Sequence, residues 1–100
     1  MWTQRLAMHV RILKMMRDAV RLRQYVMTLH AFEEMEDDGF SVYDIERCIL
    51  NGTIAERQKE AASSEWKYLV HSMTFTNRGI SVVAKFSITG KLIIITVFAS

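Results

Sequence analysis

One hundred residues, half of them apolar and 24% charged, suffice for one modest core and argue against wholesale disorder. A lone cysteine, Cys48, excludes an internal disulfide framework, and no Cys/His spacing suits a zinc site. Net charge is +2, and the longest uncharged apolar run, Leu92 to Ala99, falls far short of the roughly 20 residues a membrane helix needs, so residues 1–100 read as one cytoplasmic domain.

Residues 3–24 contain neither glycine nor proline and predict one long basic helix. Leu6, Val10, Leu13, Met16 and Val20 form one apolar stripe. Met8, Ile12, Met15, Ala19 and Leu22 form a second, about 140° away at about 100° per residue. One stripe can pack on the chain's own sheet, and the other requires a partner, which predicts a homodimer or a bound protein. A short second helix follows, with Thr28 as N-cap, Leu29, Phe32 and Met35 on its apolar face, and Gly39 as its stop. Ser41 caps a third helix with Asp44 at the capping-box position. Val42, Ile45, Cys48 and Ile49 make its buried face, and Asn51-Gly52 ends it.

Beyond Gly52 the period becomes two, with strands expected over Thr53 to Gln58, Trp66 to Phe75, Ile80 to Ser87 and Leu92 to Phe98. Thr76-Asn77-Arg78-Gly79 and Thr89-Gly90 mark the turns. The last strand is apolar on both faces, which predicts cover on both and a hazard if its edge were open. Helices followed by strands predict an α+β fold: one long and two short helices packed on a four-stranded antiparallel sheet.

Charge is segregated along the chain. Residues 1–25 carry a net +5, residues 26–52 a net −6 and residues 53–100 a net +3. Either neighbouring elements neutralise one another on the folded surface, or a basic sheet face is available to a polyanion. Strand parity puts Lys67 and Lys85 with His71 on one face, a surface that could hold RNA phosphates. Solvated strand charges explain the same residues. Trp66 and Tyr68 can stack on bases or fill the core. His30, in the first turn of a helix, is placed either to act as a general base or to lock the helix start.

Several motifs occur in a consistent order: Thr28-x-His30-Ala31-x-x-x-Met35, Gly39-Phe40-Ser41-x-x-Asp44-Ile45, Gly52, Tyr68, Gly79 with Val82-Val83, and Ile94-Ile95-Thr96-Val97-Phe98. Over roughly residues 12–98 they resemble a small bacterial family of unknown function whose members begin Ser/Thr-x-His-Ala and end Ile-Ile-Thr-Val-Tyr. That family is similar in layout to the RelE and BrnT toxins, ribonucleases paired with an antitoxin. The resemblance implies an RNA endonuclease with His30, Lys85 and Arg78 as catalytic residues and Arg57 holding phosphate. The basic sheet face adds Lys67 on the RNA, and with no metal motif in the sequence the reaction is expected to need neither metal nor cofactor. Family members usually carry arginine where this chain has Glu34 and Asp38, and tyrosine where it has Phe98. These departures keep a second expectation open, a non-enzymatic protein-interaction module on the same scaffold.

Overall fold

The computed structural model describes residues 2–100, with side chains from His9 onward. The elements are α1 (Trp2–Arg21), β1 (Tyr25–Met27), α2 (Leu29–Asp37), α3 (Val42–Asn51), β2 (Thr53–Lys59), β3 (Trp66–Met73), β4 (Gly79–Phe86) and β5 (Leu92–Ala99). The α+β class is as expected, but the sheet is not the four-stranded antiparallel one. It has five strands in the order β1-β5-β4-β3-β2, and β1 runs parallel to β5 while the other pairs are antiparallel.

The extra strand arises where the long helix stops early. Arg23 takes a left-handed φ of 56°, and the N–H groups of Arg23 and Gln24 bond back to the carbonyls of Val20 and Ala19 at 3.1 and 2.8 Å. The chain then turns, and Tyr25, Val26 and Met27 align with Leu92, Ile93 and Ile94. Three residues carry no readable period, and their partner lies at the far end of the chain. The edge of β5, a hazard if open, is therefore partly closed.

Neither predicted stripe of α1 packs as a unit. Met16, Ala19 and Val20 are buried and Ile12 and Leu13 partly so, an arc drawn from both stripes. Val10, Met15 and Leu22 remain 68%, 46% and 66% exposed. Leu6 and Met8 lie outside the described side chains. Arg17 helps set this rotation, because its Nε and Nη2 donate to the carbonyls of Ile49 and Gly52 at 3.2 and 3.0 Å. Those carbonyls are at the C-terminus of α3, where a cation is favoured by both hydrogen bonding and the helix dipole.

The caps of the short helices form as their residue types require. Thr28 Oγ1 accepts the Ala31 N–H at 3.1 Å, and Gly39 leaves α2 with φ 73°. In α3, Ser41 Oγ accepts the Asp44 N–H at 3.2 Å and Asp44 Oδ2 accepts the Ser41 N–H at 2.9 Å. The apolar faces are narrower than expected. α2 buries Ala31 and Met35 but exposes Leu29 and Phe32, and α3 buries Ile45, Cys48 and Ile49 but leaves Val42 exposed.

On the helix side of the sheet, Tyr68, Val70, Ile80, Val82, Ala84, Leu92, Ile94 and Val97 join the helical residues in one core. A register shift at Val83/Ala84 accommodates an extra residue in β5, so Ile94 and Val97, three apart, both reach that core. The opposite face is less covered: Lys67, Leu69, His71, Val83, Lys85 and Ile93 are all half-buried. Full cover of β5 on both faces does not occur. No helix among the described residues is long and apolar enough to cross a membrane.

Candidate functional site

β1 reaches only as far as Ile94 along the outer edge of β5, and the chain closes the rest with side chains of α2 and its two capping residues. Glu34 Oε1 accepts the Val97 N–H at 3.1 Å, Asp38 Oδ2 accepts the Ala99 N–H at 3.3 Å, and Thr28 Oγ1 donates to the Ile95 carbonyl at 3.2 Å. The geometry follows from two periods. Residues 34 and 38 are one helical turn apart, about 6 Å along the axis, and alternate strand N–H groups recur at about 6.7 Å. A helix with carboxylates at i and i+4 can thus stand in for a strand. The acidic residues at the two positions that the resemblance assigns to arginine are occupied in this role.

His30 is the first candidate side chain on this edge. Its Nε2 lies 3.2 Å from Glu34 Oε1, and its ring is largely exposed. The Val97 N–H holds the carboxylate, which in turn orients the imidazole. Arg78, in the turn before β4, reaches the other end of α2. Its Nη2 donates to the Asp38 carbonyl at 2.8 Å, and its guanidinium lies 4.3 Å from the centre of the Phe40 ring. His30 and Asp38 are eight residues apart, about 12 Å along the helix. His30 and Arg78 therefore flank one edge without touching.

Lys67 and Lys85 lie on the open face of the sheet, each against an acid of the β2–β3 loop. Lys67 Nζ is 3.7 Å from Glu60 Oε2, and Lys85 Nζ is 3.3 Å from Glu65 Oε2. A shallow depression lined by Glu56, Gln58, Lys67, Leu69 and Val83 runs beside them. Arg57 is on the other face, paired in register with Tyr68, and stacks 4.1 Å over the Trp66 ring with Lys59 at 5.9 Å. The two residues expected to share RNA, Arg57 and Lys67, are thus on opposite sides of the sheet. Trp66 is flanked by cations and 39% exposed, whereas Tyr68 is core.

Sequence reasoning missed a polar cluster on the open face. His71 Nδ1 lies 3.3 Å from Ser81 Oγ and 3.0 Å from Ser100 Oγ, and Ser81 donates to Ser100 at 2.9 Å. Period-two parity could place His71 and Ser81 each on a face, but only the strand register makes them opposite neighbours. Other polar groups are withdrawn from chemistry. Burial pushes the Cys48 thiol up to about 12, which leaves it protonated and a poor nucleophile. Tyr25 is raised to about 12, first by burial and then by its hydrogen bond to the Glu46 carboxylate, so its hydroxyl stays protonated while tying β1 to α3.

The edge cap has a direct test. Glu34→Ala leaves the Val97 N–H without its acceptor and should cost about 1–3 kcal/mol, with faster amide exchange at Val97. Unchanged exchange there would show that the carboxylate does not hold the edge.

Residues 27–99 match the DUF4258 family, a domain of unknown function. No curated protein and no solved structure is matched. The matched segment runs from the last residue of β1 to the end of β5 and includes His30, the edge-capping acids and every candidate cation. α1, where the resemblance was expected to begin, precedes it. The chain belongs to the DUF4258 family.

Proposed function

We propose that this chain is a toxin-like RNA endonuclease of RelE/BrnT type, acting in the cytoplasm and associating with an antitoxin protein or with a second copy of itself. The observation that carries this proposal is the oriented, exposed imidazole: the Val97 N–H fixes Glu34, and Glu34 faces His30 Nε2 at 3.2 Å. A histidine aligned by a carboxylate is the arrangement that lets an imidazole take and return a proton. In RNA cleavage the proton comes from the ribose 2′-hydroxyl. The oxygen then attacks phosphorus, and the leaving 5′-oxygen is protonated in turn.

Cations stabilise the charge that develops on the phosphate. Lys85 pairs in register with Ile93, and Ile93 with Val26, so Lys85 lies two strand spacings, about 10 Å, from the β1 edge that leads into α2. Arg78 flanks the far end of α2. The ion pairs of Lys67 with Glu60 and Lys85 with Glu65 are partly exposed, a class worth about 0–1 kcal/mol, which a phosphate can displace. Arg57 beside Trp66 supplies a cation and a stacking ring on the other face of the sheet.

Purified protein is expected to cleave RNA in the presence of EDTA, and His30→Ala should slow cleavage by roughly 10²–10⁴-fold. Lys85→Ala should slow it less. Full activity in His30→Ala would remove the assigned base. The alternative is a non-enzymatic interaction module on the same scaffold. It is favoured by the engagement of Glu34 and Asp38 with the β5 backbone, where the resemblance expects free cations. Absence of cleavage on both free and ribosome-bound RNA would decide for that module.

A further inference from the structure

No ion pair between segments, among the described residues, resolves the charge segregation of the chain. Among the described residues, Lys14 and Arg21 each lie 3.5 Å from Asp18 of their own helix, and no ion pair joins a base of α1 to an acid of α2 or α3. Arg11, Lys14 and Arg21 are exposed on α1, and Glu33, Glu36 and Asp37 are exposed on α2. Each helix also presents apolar side chains beside its charges: Val10 and Met15 on α1 with Leu22 just past its end, and Leu29 and Phe32 on α2.

We propose that the chain forms a two-fold dimer in which α1 of one protomer packs on α2 of its partner, and reciprocally. The choice of occupant follows from sign. Pairing α1 with its own copy would set arginines and lysines against each other, and pairing α2 with its own copy would set acids against acids. Only the crossed pairing places opposite charges together while it covers both apolar sets, and a two-fold axis generates it twice. The spacings are compatible, since Arg11 and Lys14 are three apart and Glu33, Glu36 and Asp37 recur at three and four, the repeat of one helix face. This deepens the self-association proposed above and does not depend on RNA cleavage, so the two fail separately.

A charge swap tests it. One variant carries Arg11→Glu and Lys14→Glu, which puts carboxylates on the exposed face of α1 opposite those of α2. The other carries Glu33→Lys and Glu36→Lys, which puts lysines on the exposed face of α2 opposite the bases of α1. Wild-type chain is expected to sediment as a dimer at tens of micromolar and to dissociate as salt is raised. Each variant alone should associate at least roughly tenfold more weakly, because its crossed contacts now oppose like charges. An equimolar mixture should recover the dimer, with one chain of each kind by native mass spectrometry. A monomeric wild type, even one that binds a co-expressed antitoxin, would overturn the proposal. So would variants that each still dimerise alone, or a folded mixture that stays monomeric. Should either charge variant unfold, Leu22→Glu replaces it, and a dimer that survives that substitution also overturns the proposal.

Discussion

Gly52→Ala is expected to destabilise the protein by about 3 kcal/mol, a large share of the 5–15 kcal/mol that holds a domain of this kind together. Gly52 ends α3 with φ −86°, a conformation any residue adopts, so the requirement is one of space. A Cβ built there would meet the Cys48 carbonyl oxygen at 2.4 Å, the His71 carbonyl oxygen at 2.6 Å and Val70 Cγ1 at 3.0 Å. Two of these are backbone atoms, one in the last turns of α3 and one in β3, and neither can move without disturbing its element. The Gly52 carbonyl also accepts from Arg17, so a shift there reaches α1. Urea unfolding followed by circular dichroism should show a lower midpoint with little change in slope. A loss below about 1 kcal/mol would mean that α3 slides away from the sheet easily.

Two adjacent methionines provide the second large effect. Met16 is fully buried against the core and Met15 is 46% exposed. Met16→Ala should cost about 2–5 kcal/mol, from lost transfer energy plus the cavity left behind. Met15→Ala should change the folding stability of the monomer by less than about 0.5 kcal/mol. The contrast reports which side of α1 faces the sheet. Equal losses at both positions would mean that α1 packs in a different rotation. The same measurement separates core from interface, because Met15 belongs to the surface proposed to meet the partner's α2. Its substitution should weaken association at a concentration where the fold is untouched.

The burial of Met16 beside exposed Met15 also shows how far the sequence reaches. Both predicted stripes of α1 were real periodicities, yet a 100° repeat says only that faces exist. Which arc is covered depends on what docks, and here Arg17 on the α3 carbonyls turns the helix so that residues of both stripes share the buried side. The exposed remainder of the two stripes became visible only once that rotation was known.

Local chemistry determined a great deal without tertiary information. The Thr28 cap, the Ser41–Asp44 capping box and the stop at Gly39 rest on interactions within a few residues, and each forms where its residues require. The α+β class follows from the same local signals. What required the fold was every relation across long sequence distance. The parallel pairing of β1 with β5, the register that brings His71 to Ser81, and the placement of Arg57 and Lys67 on opposite faces depend on which strands meet. Glu34 and Asp38 illustrate the difference most directly. In sequence they are acids in a helix, lacking the cationic character expected there. In the folded chain, one helical turn happens to match two strand residues, and the pair closes the exposed edge of β5 while one of them orients His30. A local pattern can specify a turn, a cap or a face, because those bonds lie within its own span. It cannot specify a partner supplied by a segment some sixty residues away, because that choice is made by packing the whole chain at once.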